Sequence, residues 1–356
     1  MKKDAIKEFR AKIDGLDDRI LDLLNKRSRY VMEVGKTKAM TKRTFYAPER
    51  ERDIYKRLTA KNKGPFPNHA LKNVYREIMS ASLSLEKPMK IAFLGPNATF
   101  THQACIQHFG SCAELVPEKD ISVVFDDVER GMVDFGVVPI ENTTEGVVNH
   151  TLDMFVSSEL KICAEILLEV SLSLLNKSGS PLDIARICSH PHAIAQCKNW
   201  LKENLPNVPH VETASTASAA ESASADPSIA AIASEAAALL YDLKVVEKKI
   251  EDNINNFTRF LVIGKKESKK SGSDKTSIMF AVKDAPGILY EILKPFAERK
   301  INLTKIESRP LKKKAWEYIF FLDLDGHIMD KAVRTAVSEL EKNCSFVKFL
   351  GSYPKG

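Results

Sequence analysis

The sequence predicts a multidomain chain: an all-α segment first, an α/β domain in the middle and a ferredoxin-like α+β (βαββαβ) domain last. Three observations carry this. Ile6, Phe9, Ile13, Leu16, Ile20, Leu23, Leu24, Val31 and Val34 recur at helical spacing, with no proline before Pro48. Short apolar runs that end in polar residues then alternate with helical stretches. After Lys265 to Lys275, a Lys/Ser/Gly stretch with little apolar content, the order becomes strand, helix, strand, strand, helix, strand.

The bulk properties bound the rest. A chain of 356 residues has room for two or three domains, and 44% hydrophobic residues is ordinary for a soluble protein. The charged start Met1-Lys2-Lys3-Asp4 leads into an amphipathic pattern, so no signal peptide is expected, and no apolar run is long enough to span a bilayer. Six cysteines (105, 112, 163, 188, 197, 344) form no C-x-x-C pair, which fits free thiols in a reducing cytoplasm. The net charge of +6 is mild and spread out, so anionic small molecules fit as partners. No nucleic acid, membrane, metal or cofactor is expected.

The first helix is predicted over residues 3 to 39. It is longer than a globular helix needs, and its apolar stripe must cover something long. A partner chain does this, so a homodimer or higher homo-oligomer is expected. Arg27, Val31, Val34 and Lys38 share one face, with Arg27 and Lys38 roughly 16 Å apart along the axis. Arg10 lies about 100° round from Arg27 and roughly 25 Å further along, so one small site could use both only if Arg10 reaches into a neighbour. A second helix starts near Ala47-Pro48 and carries Arg50 and Glu51. A third follows Asn68 as N-cap and ends before Pro88, with Ile78, Ser82 and Glu86 on one face.

The stretches FRAKIDGLDDRILDLLNKR, VGKTK, FYAPERER and REIMSASLSLEKP together resemble the all-helical class of chorismate mutase. The likeness covers nearly all of residues 5 to 88 and implies a mutase domain over 1–88. It implies that Arg10 (from the partner), Arg27, Lys38 and Arg50 hold the two carboxylates of chorismate. Lys38 and Glu86 would address the ether oxygen, Glu51 the ring hydroxyl, and Ser82 would line the pocket. Some members have Asp where this chain has Ala47. The Claisen rearrangement of chorismate to prephenate needs no nucleophile or metal; positioning and preorganised cations suffice.

In the middle domain, Ile91 to Leu94 reads as a strand, and Asn97-Ala98-Thr99-Phe100-Thr101 leads into a helix. That helix N-terminus suits a carboxylate. Asp134 to Ile140 is a strand that ends at Glu141-Asn142-Thr143-Thr144-Glu145-Gly146. Ile187 to His190 is a strand end before a helix carrying Gln196, and Ala230 to Ala233 is a further strand. The Ala/Ser-rich run Ala214 to Ser224 is read as a helix, since alanine is abundant and glycine absent. His190 and His192 stand two apart with no third ligand at sensible spacing, so they are core or cleft histidines. Asn256-Phe257-Thr258-Arg259-Phe260 leads into buried Leu261-Val262-Ile263. Its two readings are a catalytic edge and a strand with alternating faces.

The set GPNATFT, PIENTTEG, SHPHAIAQC and NNFTRF resembles prephenate dehydratase, with Ala98 where Gly is usual and His192 where Gln is common. The resemblance implies a domain over 89–265, built as two α/β lobes around a cleft. Glu141, Asn142, Ser189, Gln196, Thr258, Arg259 and Phe260 would line that cleft. Prephenate loses its ring carboxylate as CO2 and its hydroxyl as water, so a proton donor near that hydroxyl is needed. Thr258 is the candidate donor or relay, with a water as the other source. Arg259 is a carboxylate clamp or a structural pair.

After a linker at 266–275, the domain over 276–356 carries Asp284-Ala285-Pro286-Gly287-Ile288-Leu289 and Glu307-Ser308-Arg309-Pro310. These resemble the phenylalanine-binding elements of the ACT domain. The effector set would be Pro286, Gly287, Ile288, Leu289, Asn302, Leu303, Glu307, Ser308, Arg309 and Pro310. The expected function is a bifunctional, phenylalanine-inhibited chorismate mutase–prephenate dehydratase. The alternatives are an amino-acid-sensing binding protein without turnover and a dehydratase preferring arogenate.

Overall fold

The computed structural model describes residues 2–40, 48–282, 285–310 and 318–356; the expectations on Ala47 and Asp284 lie outside them. The chain divides into two compact units, 1–89 with 109–114, and the remainder.

The first unit holds α1 (Lys2–Met40), α2 (Pro48–Lys61) and α3 (Asn68–Glu86). Pro48 opens α2, where its missing N–H costs no helical bond. Asn68 is not the N-cap of α3. Pro67 holds that position in extended conformation, and Asn68 is the first helical residue, its Oδ1 accepting from Asn62 Nδ2 at 2.7 Å. Among the described residues, most of the predicted apolar stripe of α1 lies open, while Leu24 and Val31 are half-buried. Ile6, Phe9, Ile13, Leu16, Ile20 and Leu23 are each 53% exposed or more.

The second unit starts with β1 (Lys90–Leu94), α4 (Phe100–Phe109), β2 (Glu114–Glu118), α5 (Ile121–Arg130), β3 (Phe135–Asn142), β4 (Gly146–Val147), α6 (Asn149–Ser157) and β5 (Lys161–Glu169). A second lobe follows: β6 (Ser173–Asn176), β7 (Arg186–Ser189), α7 (Pro191–Gln196), α8 (Lys198–Asn204), β8 (His210–Glu212), α9 (Thr216–Ala225), β9 (Ile229–Ala233), α10 (Glu235–Leu240) and β10 (Lys244–Glu247). The chain then returns to the first lobe as β11 (Phe257–Gly264), which lies between β3 and β5. The sheets run β2-β1-β3-β11-β5, with β4 on β3, and β10-β6-β9-β7-β8.

Local chemistry explains several of these elements. Asp120 caps α5 by accepting from Ser122 N at 2.7 Å, and Gly131 ends that helix at φ 76°. The Ala/Ser run is helical, as its composition predicts. Ala217, Ala219, Ala220 and Ala223 are fully buried, so small side chains let α9 lie close to its sheet. Ala98 has φ 66°, the left-handed region that the usual glycine would enter without strain.

β12 (Asp274–Ala281), α11 (Ile288–Glu298), β13 (Leu303–Pro310), β14 (Tyr318–Asp325), α12 (Lys331–Asn343) and β15 (Phe346–Pro354) complete the chain as an antiparallel sheet ordered β13-β14-β12-β15. This is the predicted βαββαβ topology. The pleat of β12 sends Ile278 and Phe280 to α11 and α12, and Met279 to the opposite face. There Met279, Phe321, Leu350 and Tyr353 share one core with Phe155, Ile162 and Leu261 of the middle domain. The stretch read as a linker is tied to the middle domain: Ser268 Oγ donates to Cys163 O at 2.6 Å.

A buried charge cluster lies in the same junction. Arg259 Nε donates to Glu165 Oε2 (2.8 Å), Nη1 to Asp323 Oδ2 (2.6 Å) and Glu141 Oε1 (3.2 Å), and Nη2 to Tyr353 Oη (3.0 Å). Lys275 Nζ reaches Glu165 at 2.7 Å, and Lys305 Nζ bonds Glu141. Three cations thus meet three carboxylates. Burial alone would raise the Glu165 carboxyl, but Arg259 and Lys275 hold it below its ordinary 4.5. A depressed carboxylate stabilises the fold above pH 4.5, and that contribution disappears as pH falls through the lowered value. Glu165→Gln leaves buried cations short of a partner and is expected to cost about 3–5 kcal/mol at neutral pH. Urea unfolding across a pH series checks this: the gap to wild type should shrink below pH 4.5.

Candidate functional site

Two constellations carry chemistry. In the helical unit, Arg27 Nη1 donates to Ser82 Oγ, and Ser82 Oγ donates to Ile78 O at 2.6 Å. Lys38 Nζ pairs with Glu86 Oε2 at 3.0 Å, with the Glu86 side chain 5% exposed. Gly35 permits this approach, since a Cβ there would meet Glu86 Cγ at 3.0 Å. Burial lowers the Arg27 pKa. Burial, then the charge of Glu49, pushes the Glu51 carboxyl up to about 8. At neutral pH Glu51 is therefore mostly a neutral acid, able to donate as well as accept a hydrogen bond. Arg10 and Arg50 stand exposed.

The second constellation is a cleft of about 800 Å3 between the two lobes of the middle domain. Thr258 and Phe260 of β11 and Asn142 at the end of β3 form one wall; His190, His192 and Gln196 form part of the other. Asn142 Nδ2 donates to Thr258 Oγ1 (2.8 Å) and to Asn256 Oδ1 (2.9 Å). Its Oδ1 accepts the backbone N–H of Thr144 (2.8 Å) and Glu145 (3.1 Å), which fixes the orientation of the amide. Asn256 Nδ2 continues to Gln196 Oε1 (2.9 Å), Gln196 Nε2 to Glu145 Oε1 (3.0 Å), and Glu145 Oε2 meets His192 Nδ1 at 2.6 Å. The chain of bonds crosses from one lobe to the other. Thr258 Oγ1 accepts in it, so the hydroxyl proton is left to point elsewhere.

The first turns of α4 and α9 also open on the cleft, through Thr99, Phe100 and Thr101 and through Ser215, Thr216 and Ser218. Helix starts with hydroxyls beside them suit carboxylates. Among the described lining residues Lys119 is the one lysine, and there is no arginine. Burial, then the neighbouring His192, lowers the His190 pKa. Among the described residues, no group of three or more His, Cys, Asp or Glu is placed to hold a metal ion.

The expected cleft set therefore divides. Asn142, Gln196, Thr258 and Phe260 line the cleft. Ser189 lies behind it, fully buried, with Oγ donating to Ile232 O at 2.6 Å. Glu141 and Arg259 point to the opposite face, into the charge cluster. The alternating-face reading of the strand thus describes it, with Thr258 on the cleft face. Sequence reasoning passed over Asn256 and Glu145, although both lie inside the quoted motifs NNFTRF and PIENTTEG.

In the C-terminal domain Gly287 sits before α11 at φ 80°, and Leu289 is 40% exposed. Asn302 Nδ2 donates to Asp325 Oδ2 at 3.2 Å. Glu307 and Arg309 are half-buried on β13, where Arg309 pairs with Asp153 of α6 at 3.0 Å.

Family models match in the same order. Chorismate mutase type II covers 9–87, prephenate dehydratase 91–268 and the ACT domain 276–342. A protein of Aquifex aeolicus named bifunctional chorismate mutase/prephenate dehydratase is 50% identical, over 99% of this chain and 98% of its own. Its namesake from Pseudomonas aeruginosa is 42% identical over the same shares. The chloroplastic arogenate dehydratase/prephenate dehydratase 2 of Arabidopsis thaliana is 36% identical, over 78% of this chain and 75% of its own. A crystal structure of prephenate dehydratase from Arthrobacter aurescens, in complex with L-Phe, superposes with a TM-score of 0.69 at 38% identity, covering 74% of this chain and 89% of that one.

The titration of Glu51 gives a checkable sign. Its folded pKa is raised, so its full stability is present below pH 4.5 and is lost as pH rises through about 8. Thermal unfolding of the helical unit should show a loss of stability over that window in wild type and a flatter profile in Glu51→Gln.

Proposed function

The chain belongs to the bifunctional chorismate mutase/prephenate dehydratases, and we propose that its helical unit rearranges chorismate to prephenate while its two-lobed cleft turns prephenate into phenylpyruvate. The observation that carries the second assignment is the Asn142–Thr258 hydrogen bond inside the cleft. Prephenate is a dicarboxylate, and the two helix starts offer places for two carboxylates. With the substrate held, the bond to CO2 breaks and its electron pair moves into the ring. The hydroxyl departs as water once it receives a proton. Thr258 gives or relays that proton, because Asn142 occupies its oxygen and leaves its O–H free to donate. The ordered set Asn256, Gln196 and Glu145 holds Asn142 in place.

In the helical unit, Lys38 and Arg27 supply positive charge to the carboxylates and ether oxygen of chorismate, and neutral Glu51 meets the ring hydroxyl. The open stripe of α1 supports a homodimer in which Arg10 completes the neighbour's site. The C-terminal ACT domain is read as the seat of feedback inhibition by phenylalanine, supported by the L-Phe complex of the Arthrobacter enzyme. Turnover is favoured over a sensor without chemistry by the paired cations and by the free Thr258 hydroxyl. Prephenate is favoured over arogenate because the relatives that match over the whole chain are named for prephenate.

Two experiments test this reading. Thr258→Ala should lower dehydratase kcat by about a hundredfold or more, with mutase turnover unchanged in the same preparation. Survival of dehydratase turnover within a few-fold would remove Thr258 from the proton path. For the dimer, Arg10→Ala and Arg27→Ala each lack mutase activity, yet mixed and re-equilibrated they should regain part of it. A hybrid dimer has one site with both defects and one with neither. No recovery, with hybrids demonstrated, would place Arg10 outside the site.

A further inference from the structure

Two adjacent rungs of one strand pair face opposite ways. β3 and β11 pair with Thr258 opposite Asn142 and Arg259 opposite Glu141. The first pair lines the cleft. The second is held from the C-terminal domain: Asp323 and Tyr353 bond Arg259, and Lys305 bonds Glu141. Four of the five guanidinium N–H groups of Arg259 are taken, so a substrate carboxylate could claim at most one. The ladder slips register just past Arg259, a bulge of the kind that re-aims side chains beside functional sites.

We propose that Arg259 and Glu141 are positioning residues, and that with Lys305, Asp323 and Tyr353 they form the joint through which the C-terminal domain sets the Thr258–Asn142 pair. This rests on the reading of the cleft as the dehydratase site. The charges fit a joint. Glu141, Glu165 and Arg259 bring one net negative charge from the middle domain, and Lys275, Lys305 and Asp323 bring one net positive charge from the other side. β13 carries Lys305 and also Arg309, whose partner Asp153 lies on α6. A shift of β13 therefore pulls on Glu141, one residue from Asn142. The same strand carries Glu307 to Pro310, so an effector that favours a second position of β13 reaches the proton donor by this route.

The test uses the full-length enzyme with Arg259→Lys, Lys305→Met, Lys305→Arg and the near-isosteric Tyr353→Phe, each checked for folding by circular dichroism. Arg259→Lys and Lys305→Met should lower dehydratase kcat about tenfold with KM for prephenate within twofold, the signature of lost positioning, not lost binding. Lys305→Arg should restore kcat. In Tyr353→Phe, where Arg259 keeps its carboxylates, the half-inhibitory phenylalanine concentration should move at least threefold. A tenfold rise in KM with kcat unchanged in Arg259→Lys would overturn the proposal in favour of a substrate clamp. Wild-type kcat and wild-type phenylalanine response in both Lys305→Met and Tyr353→Phe would overturn it as well. Turnover of prephenate by the wild-type enzyme, run beside these variants, reports separately on the reading of the cleft.

Discussion

Arg259 is 6% exposed, and its guanidinium meets Glu165, Glu141, Asp323 and the Tyr353 hydroxyl. Burial alone would lower its pKa; the Tyr353 hydroxyl and the carboxylates of Asp323 and Glu165 more than reverse this. A charge so enclosed is tolerable only because every neighbour answers it, and removing any one leaves another unpaired. The cluster therefore demands that the C-terminal sheet stay docked on the middle domain. The apolar core around Met279, Phe321 and Leu261 supplies the attraction, and the charges supply the register. Cutting the chain after about residue 270 would expose this cluster, so such a truncation would perturb the dehydratase fold as well as any regulation.

The helical unit obeys a different constraint. Its three helices leave most of the apolar stripe of α1 open, while Ser82 and Glu86 of α3 hold Arg27 and Lys38. In the proposed homodimer, the helix that would bury its stripe against a partner also carries Arg10, on the part furthest from Lys38. Association and completion of the site would then be one event.

Much of this was legible in the sequence because periodicity records burial. The 3.6-residue spacing from Ile6 to Val34 located α1 to within a residue at either end, and alternation through Thr258-Arg259-Phe260 gave the two faces of β11. What periodicity does not record is which face meets the ligand. Arg259 looks like a binding residue in a list of cations, and only the position of the C-terminal sheet turns it into a structural one. Ser189 was placed at a cleft because it ends a strand, but its hydroxyl is spent on Ile232 O. Glu145 and Asn256 were passed over for the opposite reason: each works through a side-chain partner from a distant segment. Asn68 shows the same limit locally, since its cap preference lost to the fixed backbone of Pro67 and to Asn62.

The two candidate sites treat carboxylates differently, and the reactions explain why. The rearrangement in the helical unit keeps both carboxylates of its substrate, so cations on them bind ground and transition states alike, and in the proposed site Lys38 would add stabilisation where the ether oxygen gains charge. The dehydration destroys a carboxylate. Its charge leaves the group as CO2 forms and moves through the ring to the departing hydroxyl. An arginine clamped on that carboxylate would hold the ground state more strongly than the transition state and would slow the step. A cleft lined by helix starts, hydroxyls and amides, with Lys119 the one lysine among the described lining residues, binds more gently. On this argument the guanidinium of Arg259 serves the reaction better where the pleat of β11 puts it, one residue from the proposed proton donor and on the far side of the sheet.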